Sequence, residues 1–88
     1  MNLNYYRDEA GRFLKGIGAS KEPVQKKIAM IEEELETLKK STEYPHKMSH
    51  QVYDLMFLLF EIAAQYDLDL EKEWTEGRQR KKRKYIKM

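Results

Sequence analysis

The run Ile31-Glu32-Glu33-Glu34-Leu35-Glu36 contains the pattern Glu-Glu-x-x-Glu, and Gln51-Val52-Tyr53-Asp54 sets two oxygen-bearing side chains three residues apart. Positions three or four apart on a helix share a face, so Glu32 with Glu36, Glu33 with Glu36, and Gln51 with Asp54 each point at a common centre. Hard oxygen ligands converging from two antiparallel helices suit magnesium or manganese. Two carboxylates about 6 Å apart repel by roughly 3 kcal/mol at an effective dielectric of about 20, and by under about 1 kcal/mol in bulk water. A buried cluster therefore demands a cation or a proton; an exposed one needs neither. The plainer reading is a solvated helix face on which Glu32, Glu33, Glu34 and Glu36 meet Lys39 and Lys40. Asp54 weighs against it on the second segment, because it interrupts a run that is otherwise apolar.

Other chemistries are narrower. His46, His50 and Asp54 follow an i, i+4, i+8 spacing that would suit a transition metal on one helix face, against a turn histidine and a solvated first-turn histidine. Ser20, Ser41 and Ser49 stand in no glycine elbow, and Gly16-x-Gly18 lacks the rest of a phosphate-cradling fingerprint. With no cysteine, the chain has no disulfide, thiolate metal site or cysteine nucleophile of its own.

The elements that must hold these groups are helices. The chain has 88 residues, with 41% hydrophobic and 36% charged residues, four glycines and two prolines, which excludes collagen-like and low-complexity sequences. Residues 1–88 read as one all-α domain. A short N-terminal helix, roughly residues 4–15, ends at Gly16 and Gly18. A second helix starts near Pro23 and runs to about residue 40, with Val24, Ile28, Ile31, Leu35 and Leu38 forming one expected buried stripe. A short connection at 41–45 makes the third helix, from about Pro45 or Ser49 to Tyr66, its antiparallel neighbour. That third helix is apolar nearly all round, which predicts burial on most sides; its polar exceptions are His50, Asp54, Glu61 and Gln65. Asp69 is placed to cap a fourth helix, with Glu71 and Glu73 in its first turn.

Such a chain would bury only roughly 64% of its unfolded surface alone, so three main helices plus the short first one are expected to dimerise into a four-helix-bundle core. The longest apolar stretch falls short of the ~20 residues of a membrane span, and the first residues lack an apolar signal core, so a cytoplasmic protein without membrane contact is expected.

The net charge of +2 conceals an asymmetry. Residues 78–88 carry seven basic residues, among them Arg78, Lys82, Arg83 and Lys87, and no acid, leaving ten basic against fifteen acidic residues in 1–77, a net −5. A basic helix end of this kind attracts phosphate on nucleic acid, on a nucleotide or on a membrane surface, with Trp74 and Tyr85 available for stacking or for packing in a dimer contact.

The order Glu32-Glu33-Glu34-Leu35-Glu36, then Gln51-Val52-Tyr53-Asp54, an apolar helix, an Asp-Leu-Glu helix start at residues 69–71 and a basic end at 78–85 resembles the all-α nucleotide pyrophosphohydrolases of the MazG, dimeric dUTPase and phosphoribosyl-ATP pyrophosphohydrolase superfamily. The resemblance covers residues 24–85 and implies a homodimer that hydrolyses a nucleoside triphosphate to monophosphate and pyrophosphate with Mg, or Mn, as cofactor. It implies Glu33, Glu36, Gln51 and Asp54 as metal ligands and Glu32 as the acid that orients or activates water. It further implies Arg78, Lys82 and Arg83 as contacts to the nucleotide phosphates. Gln51 departs from the pattern, which has glutamate there: an amide oxygen can ligate but brings no negative charge. Two other classes fit the same residues: a non-catalytic helical dimer or interaction module of this fold, and a small nucleic-acid-associated protein acting through its basic tail.

Overall fold

A computed structural model describes residues 2–86, and among these the only regular elements are four helices: α1 (Leu3–Gly16), α2 (Val24–Lys40), α3 (Pro45–Gln65) and α4 (Leu70–Tyr85). Lys87, part of the basic tail, lies outside the described residues. The all-α expectation holds, and no described helix is long and apolar enough to cross a membrane.

Local chemistry sets the helix ends. Asn2 caps α1 by accepting from the Asn4 amide at 2.8 Å. At the other end Gly18 takes a φ of 72°, its N–H donates to Lys15 O at 3.2 Å, and the Ala19 N–H donates to Leu14 O at 2.8 Å. This is the six-to-one and five-to-two pairing of a Schellman stop. Of the two glycines expected to end the helix, Gly18 does so, while Gly16 remains in its last turn. The stop of α3 is built the same way around Asp67, with φ 51° and the Leu68 N–H donating to Ala63 O at 2.9 Å. Aspartate is one of the few side-chain-bearing residues that enter this region readily.

Helix α3 is the middle of the arrangement, with α1 and α2 packed on it from two sides and α4 reached through α1. Where α1 crosses, a Cβ on Gly11 would stand 3.2 Å from the Ala64 Cβ, so the missing side chain lets the backbones approach. Aromatic contacts extend the crossing: Phe13 meets Phe57 edge-on at 5.3 Å between ring centroids, and Tyr6 meets Phe60 at 5.9 Å. Helix α2 runs antiparallel to α3, since the Glu22 backbone carbonyl just before α2 accepts from Gln65 Nε2 at the end of α3 (2.9 Å), while Leu35 and Leu38 share a groove with Met48 near the start of α3.

The face that α2 turns inward differs from the expected stripe. Val24, Ile31 and Leu38 point in, but Lys27, Glu34 and Ser41 fill the alternate positions, while Ile28 and Leu35 are 47% and 44% exposed. A hydrophobic periodicity identifies a helix's apolar face; in this chain part of that face is not the one that meets α3. Likewise α3, expected to be buried on most sides, leaves Val52, Met56 and Leu59 exposed. The fully enclosed apolar residues are few: Ala10, Leu14, Ala19, Leu58 and Ala63.

This openness has a size. The accessible surface is 7132 Å², against about 5,500 Å² for a globular monomer of this mass. The radius of gyration is 15.1 Å, against roughly 12 Å for a compact chain of this length.

The two glycines of the α1 stop should respond oppositely to alanine. Gly18→Ala is expected to cost about 1 kcal/mol, because a side chain must enter the left-handed region. Gly16→Ala, with open space around its Cβ position, should be neutral or stabilising by up to about 0.5 kcal/mol. Urea unfolding of the two variants checks the difference.

Candidate functional site

Charged side chains of α2 and α3 meet in one groove. Lys27 and Glu34 lie seven residues apart on α2, as do Asp54 and Glu61 on α3, so each pair recurs on one helix face two turns apart. Together they line a cavity of about 610 Å³ whose remaining wall includes Phe13 and Ile17 of α1 with Met30, Tyr53 and Phe57. At its enclosed end Lys27 and Glu61 are 4% and 3% exposed. Lys27 Nζ stands 3.9 Å from Glu61 Oε1 and 3.8 Å from Glu22 Oε1. Both separations exceed hydrogen-bonding distance, so Lys27 attracts the two carboxylates by charge alone.

Burial pushes the Glu61 carboxyl above the usual glutamate range; the Lys27 ammonium opposes that rise in part and Glu22 adds to it. Desolvation thus outweighs the counter-charge. Nearer the groove mouth, Asp54 Oδ2 is 3.3 Å from His50 Nε2.

The residues expected to act together are distributed as follows. Asp54 lies in this groove, and the member of the glutamate run that shares it is Glu34. Glu32 and Glu36 line a separate shallow groove with Leu35 and Met48, where Glu36 pairs with Lys39 at 3.1 Å. Glu33 is exposed on the outer side of α2. Gln51 is half-buried, with its Oε1 enclosed and without a hydrogen-bond partner. Arg78, Lys82 and Arg83 are exposed on α4, as is Trp74. Among the described residues no three histidine or acidic side chains gather at one centre, so neither the ligand set Glu33, Glu36, Gln51 and Asp54 nor the alternative His46, His50 and Asp54 is assembled within one chain.

Sequence reasoning passed over Lys27 and placed Glu34 only on a solvated face, whereas it lines this groove. The available signal was the acid of Glu61 inside the apolar stretch 55–64, which requires a buried cation on the neighbouring helix.

At the far end of the molecule the first turn of α1 grips the first turn of α4. Asn4 Nδ2 donates to Asp69 Oδ1 at 3.0 Å, the Leu70 N–H donates to Asn4 Oδ1 at 2.8 Å, and Arg7 donates to the Leu68 carbonyl at 2.7 Å. Asp69 also accepts from the Lys72 N–H at 3.1 Å, the expected N-cap. The Asn4 side chain, followed by that backbone N–H, holds the Asp69 carboxyl below its usual range.

Removing one member of the buried pair should be costly and removing both should not. Lys27→Met alone leaves Glu61 enclosed without its main counter-charge and is expected to cost roughly 3 kcal/mol, with the double variant Lys27→Met/Glu61→Leu recovering most of it. The pH dependence follows from the raised carboxyl: its stability contribution is full below the unfolded-state value and is lost as pH rises through the folded-state value. Stability should therefore decline over the pH range just above ordinary glutamate titration, and Glu61→Gln should flatten that decline. Urea titrations of the four proteins across that range measure both.

Compared with known proteins, the chain finds no counterpart: no family model matches it, no curated protein matches it, and no solved structure matches it.

Proposed function

We propose that this chain acts as a homodimeric helical interaction module of MazG-like arrangement, in which two copies join the uncovered faces of α2 and α3 into a four-helix core. The supporting observation is the apolar surface left by a single copy: Ile28 and Leu35 on α2 with Val52, Met56 and Leu59 on α3, all exposed. The surface in excess of a compact monomer is on the scale that permanent dimers bury. Sedimentation equilibrium at high micromolar concentration is expected to return twice the 10.6 kDa chain mass. Leu59→Glu should weaken that association by about 100-fold or more, since a carboxylate cannot be enclosed there without a partner. A monomeric wild-type chain at that concentration overturns the reading.

A second reading, a magnesium- or manganese-dependent nucleoside triphosphate pyrophosphohydrolase, is favoured by one detail: the enclosed Gln51 Oε1 lacks a donor and sits one turn from Asp54. Both are positions that the MazG resemblance assigns to a cation. Calorimetric titration with manganese, with and without a non-hydrolysable nucleotide, tests it on wild type, Asp54→Asn and Gln51→Glu. Binding abolished by the first substitution and tightened by the second supports it, whereas no heat in any of the three sinks it.

A further inference from the structure

The basic half of α4 has almost nothing to hold within its own chain. The grip of α1 ends in the first turn of α4, no residue of the helix is buried, and beyond that turn Arg80 pairs with Glu73 at 3.4 Å. Arg78, Lys81, Lys82, Arg83 and Lys84 project from the molecule. The opposite charge is on α2, where Glu32, Glu33 and Glu36 are exposed and only Glu36 has an ion-pair partner, Lys39. Helices α2 and α4 do not pack together within one chain. The carboxylates also border the uncovered apolar surface, because Glu32 and Glu36 line the same shallow groove as Leu35 and Met48.

We infer that the basic half of α4 is an arm that docks on the acidic outer side of α2 of a second copy of this chain, each copy of the dimer giving one arm and receiving one. The inference rests on the dimer proposed above. Two observations and a symmetry argument carry it. The complementary charges are present in one sequence, as a −5 body and a +7 tail, and among the described residues the ion pair that the tail makes to the body is Arg80 with Glu73. Glu32 and Glu36 stand at the rim of the apolar surface, with Glu33 beside them on the outer side of α2, and a rim is where an interface is polar and where charge sets register. Two-fold symmetry makes any such contact occur twice, so a modest attraction per arm is doubled. With the arm so placed, its cations stand beside Glu32 and Glu36 of the partner rather than in bulk solvent.

A charge exchange tests the arm separately from the apolar core. One variant carries Glu32→Lys, Glu33→Lys and Glu36→Lys; the other carries Arg78→Glu, Lys81→Glu, Lys82→Glu and Arg83→Glu. Each alone sets like charges at both contacts and should dimerise at least about 30-fold more weakly than wild type, while an equimolar mixture restores attraction at both contacts and should form a heterodimer near wild-type strength. Wild-type dimerisation should also weaken by about 10-fold as sodium chloride rises from roughly 50 mM to roughly 500 mM. Circular dichroism of each variant, with helicity matching wild type, separates lost contact from lost fold. A dimer equally strong in all variants and insensitive to salt overturns the arm and leaves the apolar core standing; a wild-type monomer overturns both. If the arm-reversed variant dimerises normally but loses salt-dependent binding of single-stranded RNA or duplex DNA that wild type shows, the arm is a nucleic-acid element and the inference fails.

Discussion

The arrangement depends on a mismatch between one helix and its neighbours. Helix α3 spans Pro45–Gln65 and is apolar around nearly its whole circumference, yet only α1 and α2 are available to cover it. Two neighbours screen at most part of a helix, so a side of α3 carrying Val52, Met56 and Leu59 stays open. From that follow the excess surface, the large radius of gyration and the scarcity of fully enclosed apolar residues. The charged groove is the other product of the same geometry: the two coverings leave a wedge between them, and the polar stripe of α3 falls into it with Asp54 and Glu61.

Burying Glu61 constrains the partner helix more than any apolar contact does. An isolated carboxylate in that place would be expelled or neutralised, so α2 must present a cation there, and Lys27 is the residue whose position allows it. Holding Lys27 inward fixes the rotation of α2 about its axis. Ile28, the next residue, is turned outward by that choice, and Leu35 with it. The charge pair thus decides which side of α2 remains apolar and unpaired. It also explains why the glutamate run divides: with α2 rotated so, Glu34 faces the groove, Glu33 faces away, and Glu32 and Glu36 fall at the rim.

Much of the architecture was legible in the sequence because it rests on local signals. Gly18, Asp69 and the short connection read at 41–45 act over a few residues; the first two mark their helix boundaries as read, and the connection closes one residue earlier because Pro45 already stands in the first turn of α3. The rotation of α2 was not legible, because apolar periodicity counts Ile28 and Leu35 as core without knowing that a neighbouring helix carries a buried acid. Nor was the joining of Asn4 to Asp69, whose partners are 65 residues apart and are ordinary cap residues when taken singly. The expected ligand set shows the same limit: Gln51 and Asp54 share a helix and are both near its inner side, but whether Glu33 and Glu36 face them depends on a rotation that spacing leaves open.

The clasp between the first turns of α1 and α4 gives the molecule a hierarchy of stability. Hairpin contacts between α2 and α3 close a short connection, whereas the clasp joins residues 65 apart, a closure with a larger entropic cost. It is held by side-chain and cap hydrogen bonds at a half-exposed surface rather than by enclosed apolar area, so it belongs to the least stable end of the local-opening spectrum. Helix α4 can therefore come away as a unit while the hairpin stays intact. Its direction relative to the rest then rests on the few hydrogen bonds of the clasp.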